Sequence, residues 1–140
     1  MDGWHRYCSS YIKMADTNAS LGKRVLVVDD NEDMRLTTKL ILEMEGYEVE
    51  VAANGREALE VQRARPAQAL LTDLFMPDAD GFETIERFRK EFPGIRIVAM
   101  SGGGSSPAMR TDHLPVASEI GAHATLRKPF SVEKLLEALR

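Results

Sequence analysis

Five residues stand where a charged or hydroxylic side chain is costly unless it is used: Asp29, Asp30, Asp73, Ser101 and Lys128. Each follows a short run with strand character. Val25-Leu26-Val27-Val28 ends at Asp29-Asp30, Leu70-Leu71-Thr72 climbs to Asp73, Ile95 to Met100 meets Ser101, and a weaker run over residues 124–127 meets Lys128. Short apolar runs closed by turn chemistry read as buried strands. Asp73 is the most demanding case, because Met76-Pro77 and an Asp78-Ala79-Asp80-Gly81 turn break the chain just beyond it. A lone carboxylate at the end of a buried strand needs a partner or a metal.

The elements that must position these groups alternate. After the first strand (24–28), Asn31 or Asp33 can cap a helix running to Met44. Its expected inner face carries Met34, Thr37, Leu40, Ile41 and Met44 at helical spacing, and Gly46 closes it. Tyr47 to Ala52 alternates apolar and polar, as an edge strand or one with a wet face does. Asn54-Gly55 turns the chain into a helix over 56–64 that Pro66 stops. The strand ending at Asp73 comes next, and then a helix with Phe82, Ile85, Phe88 and Phe92 inward, ended by Pro93-Gly94. A fourth strand runs to Met100 and the glycines 102–104 break it. Residues 105–114 have little pattern and are expected to form a loop before a short helix over 116–120. The last strand (124–127) leads to a helix capped by Ser131, with Val132, Leu135, Leu136 and Leu139 inward. Fivefold strand–helix alternation predicts an α/β fold, a doubly wound five-stranded parallel sheet with helices on both faces. The expected organisation is a mobile N-terminal extension, 1–22, and one domain, 23–140. Trp4, Tyr7 and Tyr11 in the extension are either idle or dock on a surface; Cys8 is assigned no role.

Bulk properties narrow the function. A chain of 140 residues, 44% hydrophobic and 29% charged, fits one core. Its formal charge of −4 argues against direct nucleic-acid binding, which needs a concentrated basic face. A single cysteine excludes an internal disulfide framework and suits a reducing compartment. No apolar run approaches the roughly 18 residues a membrane span requires, and no secretory signal is evident. A cytoplasmic location is the expectation.

In an open parallel sheet all strand C-termini share one edge, where ligands bind. Asp29, Asp30, Asp73, Ser101 and Lys128 therefore converge on one rim. Taken singly, each has a plain reading: a helix cap for the Asp pair, a turn for Asp73, surface charge for Lys128, a loop residue for Ser101. Jointly they point to chemistry. Two like charges 4 Å apart repel by about 4 kcal/mol at an effective dielectric of 20, so a pKa rises or a cation binds. Oxygen donors without nearby His or Cys favour Mg²⁺ over Zn²⁺. A carboxylate beside such a cation can act as nucleophile toward a phosphoryl group and form an aspartyl phosphate. Lys128, Ser101 and loop amides can then balance the phosphoryl oxygens. Gly102-Gly103-Gly104 is not a phosphate-binding loop of the Gly-Lys-Ser/Thr type. Gly81 is expected to supply a backbone conformation that a Cβ would oppose. His5, His113 and His123 are isolated and expected to be exposed.

The motifs VLVVDDNEDMR (25–35), LLTDLFMPDADGF (70–82), MSGGG (100–104) and LRKPF (126–130) resemble the receiver domain of two-component response regulators, over about residues 22–140. That resemblance implies a flavodoxin-like strand order 2-1-3-4-5 and a phosphorylatable signalling switch rather than an enzyme. It implies Asp73 as phosphoacceptor, assisted by Ser101 and Lys128. For Mg²⁺ it implies Asp30 and the Phe75 backbone carbonyl as direct ligands together with Asp73, and Asp29 acting through water. A histidine kinase or histidine phosphotransfer protein would be the donor, and an output protein the target. It also implies a cis bond before Pro129. Two departures stand out. Thr125 occupies the position of the family's frequent aromatic switch, so no aromatic flip can relay the signal here. The segment between Ser101 and Gly121 is long and rich in Gly and Ser. Two other classes are weighed. A haloacid-dehalogenase-type phosphatase needs an acid two residues after its nucleophile, where Phe75 stands. A degenerate docking domain would have no need of Asp30, Asp73, Ser101 and Lys128. A single-domain regulator is the favoured organisation.

Overall fold

The computed structural model describes residues 23–75, 81–102 and 114–140. The expected extension (1–22) and residues 105–113 of the expected loop (105–114) lie outside the described residues. Five strands, β1 (Arg24–Val28), β2 (Glu48–Ala52), β3 (Ala69–Asp73), β4 (Arg96–Ser101) and β5 (Ala124–Arg127), alternate with five helices. The helices are α1 (Glu32–Met44), α2 (Gly55–Ala64), α3 (Gly81–Glu91), α4 (Leu114–Ile120) and α5 (Val132–Leu139). All strand pairs are parallel and the order is β2-β1-β3-β4-β5, as expected.

Side chains alternate across each strand, so a buried central strand feeds two cores. Leu26, Val28 and Leu70 face Ala58 and Leu59 of α2, Ile85 and Phe88 of α3, and Ala117 of α4. Val25, Val27 and Leu71 face Leu42 of α1 and Leu135 and Leu139 of α5 on the other side. β2 is the wet edge its alternation announced, with only Ala52 fully buried. Asn31 proves to be the cap of α1, its side-chain oxygen accepting from the Met34 N–H at 3.0 Å. Asn54 and Ser131 cap α2 and α5 in the same way.

Two expectations are corrected. The inner face of α1 is Thr38 and Leu42, whereas Met34, Leu40 and Met44 are exposed. Apolar residues surround much of this helix, so periodicity alone could not choose its phase. The Asn31 cap and the Arg35 guanidinium, which donates to the Asp29 carbonyl at 2.8 Å, fix the rotation instead. Helix α4 also begins earlier than expected, at Leu114. Pro115 is compatible with that start because a first helical turn does not need its N–H. No helix among the described residues is long and apolar enough to cross a membrane.

His123 is exposed, as expected, but its ring is engaged. The ring Nδ1 accepts the Ile97 N–H at 2.9 Å while the His123 main-chain N–H donates to the Ile97 carbonyl at 2.7 Å, extending the β4–β5 ladder. Partial burial, with the charges of Arg89 and Arg96, holds the imidazole below its usual value of 6.5. The folded state thus favours the neutral ring. Its stabilisation is complete above the unfolded value near 6.5 and is lost as pH falls through the lower folded value. The substitution His123→Ala is expected to cost about 1 kcal/mol at neutral pH. The cost should shrink below pH 6, as read from urea unfolding of both proteins across that range.

Candidate functional site

The rim at the C-terminal ends of β1, β3, β4 and β5 brings together the groups singled out in the sequence. Parallel pairing sets Val28 opposite Thr72 and Asp73 opposite Met100, so Asp29, Asp73 and Ser101 emerge side by side. Asp29, Asp73 and Ser101 are buried, at 2%, 8% and 4% exposure, whereas Asp30 is open to solvent. Carboxylate oxygens of Asp29, Asp30 and Asp73 all lie within 4.8 Å of one another. Lys128 reaches across from the end of β5. Its ammonium donates to Asp73 Oδ2 at 2.8 Å and to Asp29 Oδ2 at 3.1 Å.

The two buried acids are oriented by local backbone. The Asn31 N–H donates to Asp29 Oδ1 at 3.0 Å, and the Phe75 N–H donates to Asp73 Oδ1 at 3.1 Å. These bonds, with the ammonium, leave one buried edge of each carboxylate satisfied. Burial nevertheless dominates at Asp73. Desolvation raises its pKa, the nearby Asp29 charge adds to that, and Lys128 and the Phe75 amide offset it only in part. At Lys128, burial works against the charged form, but the hydrogen bond and charge of Asp73, then those of Asp29, outweigh it and raise the pKa. Lys128 is therefore a firmly held cation between two acids.

Three carboxylates face one ammonium here, leaving an excess of negative charge in a partly buried site. The donors are all oxygen, which suits a small hard cation. The residues present thus fit a Mg²⁺ ion on the Asp30 side, where the site is open. The 126–130 motif brings Lys128 in through a cis Lys128–Pro129 bond, as expected. The Lys128 N–H donates to the Ser101 carbonyl at 2.8 Å, joining the β4 and β5 ends directly.

Two contributions are not legible in the sequence. Arg35 stands there only as part of a motif, yet its bond to the Asp29 carbonyl ties α1 to the acidic pair. Gly81 was expected to serve a special backbone conformation, but the positive-φ glycines among the described residues are Gly46 and Gly121. Gly81 is needed for closeness instead. A Cβ there would lie 2.2 Å from the Asp73 carbonyl oxygen and 2.4 Å from Leu74 Cα. The Gly81 N–H also donates to the Leu74 carbonyl at 2.9 Å, seating α3 on the strand end. Phe75 packs edge-on to Phe82 with ring centroids 6.5 Å apart, which places an aromatic pair beside Asp73. Residues 76–80 lie outside the described residues.

Comparison with known proteins agrees with this geometry. A family model for the response regulator receiver domain matches residues 25–140. The chemotaxis protein CheY of Thermotoga maritima is 37% identical over 120 residues, covering 85% of this chain and 96% of that protein. A putative NtrX-like response regulator of Rickettsia bellii is 32% identical over 118 residues, covering 83% of this chain. The chain spans only 24% of that longer relative. Among solved structures, a CheY-like receiver domain protein of Methanospirillum hungatei superimposes with a TM-score of 0.71 at 38% identity, covering 84% of this chain and 90% of that one.

Because Gly81 meets rigid backbone, Gly81→Ala is expected to destabilise the fold by about 2–3 kcal/mol, the upper range for overpacking. Chemical denaturation should show the loss, whereas Gly94→Ala, whose Cβ would meet nothing within 4 Å, should leave packing unaffected.

Proposed function

The chain belongs to the response regulator receiver domain family, and from that premise we propose that Asp73 is its phosphoacceptor. Proteins of this family are phosphorylatable two-component signalling switches, not classical enzymes. The observation that carries the residue assignment is the convergence of Asp29, Asp30 and Asp73 on one rim with the Lys128 ammonium bonded to two of them.

In this reading a histidine kinase or histidine phosphotransfer protein presents a phosphohistidine to the rim in the cytoplasm. An Asp73 carboxylate oxygen attacks phosphorus, and an O–P bond forms as the P–N bond breaks. The electron pair leaves with the imidazole nitrogen. Asp29, Asp30, Asp73 and the Phe75 carbonyl would hold Mg²⁺, which when bound would supply positive charge for phosphoryl transfer. Lys128 neutralises a further phosphoryl oxygen, and the Ser101 hydroxyl donates a hydrogen bond to another. The chain's own contribution to its phosphorylation is positioning and charge balance, with Asp73 as the attacking group. The added charge reorganises the Ser101 end of β4 and the adjoining helices, which an output protein reads.

Incubation with Mg²⁺ and a small phosphodonor is expected to add one phosphoryl group by intact mass. The addition should disappear in Asp73→Asn and after chelation of the metal. No addition to the wild type would sink the assignment, and sustained turnover of many phosphate esters would favour a phosphatase instead. Phe75 stands where its ring can shield the acyl phosphate from water. Phe75→Asn should therefore speed autodephosphorylation, followed as loss of the phosphorylated mass, and an unchanged rate would remove the shielding role.

A further inference from the structure

The three acids of the rim are not held alike. Asp29 has every polar atom engaged. Its N–H donates to the Ala52 carbonyl at 3.2 Å, and its own carbonyl accepts from the Arg35 guanidinium at 2.8 Å. Its two carboxylate oxygens accept from the Asn31 N–H at 3.0 Å and from the Lys128 ammonium at 3.1 Å. Asp73 is fixed in the same manner between the Phe75 N–H and Lys128. Asp30 differs. It is exposed, and no hydrogen bond from a described residue holds its carboxylate. Yet Asp30 stands on the open side of the rim, where the residues fit a cation, so its direction has to come from the main chain.

We propose that Arg35 is a positioning residue for the cation site, aiming the Asp30 carboxylate by holding the peptide that precedes it. The inference rests on the reading of the rim as a Mg²⁺ site. Peptide units are planar, so the direction in which the Asp30 side chain leaves the backbone follows from the two planes that meet at its Cα. Both planes are tied. The one after Asp30 is held by the Asn31 N–H on Asp29 Oδ1, and the one before it by the Arg35 guanidinium on the Asp29 carbonyl. The guanidinium reaches back from a fixed base, because the Arg35 main-chain N–H closes the first turn of α1 on the Asn31 carbonyl at 2.9 Å. Charge alone would give Arg35 the opposite effect. A guanidinium beside the rim repels a divalent cation, so its removal would tighten binding. Removal of a group that aims a ligand loosens binding, and such outer partners are worth about 10- to 100-fold in metal affinity. The sign of the change separates the two roles.

The test uses Mg²⁺ alone on the full chain, without a phosphodonor. Its readout is the rise of the thermal unfolding midpoint with Mg²⁺ concentration, which yields a half-saturating concentration. Arg35→Gln removes the charge and the reach to the Asp29 carbonyl, and is expected to raise that concentration about tenfold. Arg35→Lys keeps the charge and a donor on a shorter stem and should fall between the two. Asp30→Asn should lose most of the response. A half-saturating concentration in Arg35→Gln at or below the wild-type value overturns the proposal. So does a midpoint lowered in the absence of Mg²⁺ but shifted by the ion as in the wild type, the mark of a purely structural role. Should Arg35→Gln fail to fold, Arg35→Lys decides by the same comparison. A wild-type midpoint indifferent to Mg²⁺, or an Asp30→Asn variant that responds like the wild type, removes the cation site itself and the proposal with it.

Discussion

The Lys128 ammonium, shared between Asp73 and Asp29, is the interaction on which the rest of the arrangement depends. It joins residues 55 and 99 positions away in the sequence. No local structure could bring these groups together. Only a parallel sheet in which β1 and β3 are neighbours and β5 follows β4 sets all three strand ends on one rim. Two buried carboxylates without that cation would raise each other's proton affinity or force the sheet ends apart. The third acid, Asp30, escapes this pressure by facing solvent, and it leaves the negative excess that a hard cation can balance.

Much of this was legible because buried parallel strands leave a clear record. β1, β3 and β4 read as unbroken apolar runs, and each ends on a polar residue with no business in a core. Alternation then gave the layers, and the shared edge gave the site. The phase of α1 was not legible for a physical reason. Met34, Leu36, Leu40, Ile41, Leu42 and Met44 supply apolar side chains around much of its circumference, so several faces satisfied the same periodicity. Choice among them came from tertiary contacts, the Arg35 bond to the Asp29 carbonyl and the close seat of Thr38 and Leu42 on the sheet. The role of Gly81 was hidden similarly. Sequence marks a glycine, but the need for closeness to the Asp73 carbonyl appears only when α3 and β3 are placed together.

His123 illustrates the opposite error, in which an isolated residue is taken to be idle. Exposure and engagement are independent properties. The ring lies at the surface and still completes the main-chain pairing between β4 and β5. An imidazole can do this only as a neutral acceptor at Nδ1, which ties the register of the edge strand to a protonation state.

The same edge strand bears on how a change at Asp73 is felt elsewhere. With Thr125 in the middle of β5, no aromatic ring is available there to alternate between buried and exposed rotamers. The direct connection is Lys128 itself. Its side chain touches Asp73 and Asp29, and its main-chain N–H donates to the Ser101 carbonyl. The ammonium is the group a change at Asp73 would meet directly, and the main-chain bond of the same residue joins it to the backbone where β4 ends. In this chain the acid, the cation and the end of β4 form one bonded unit.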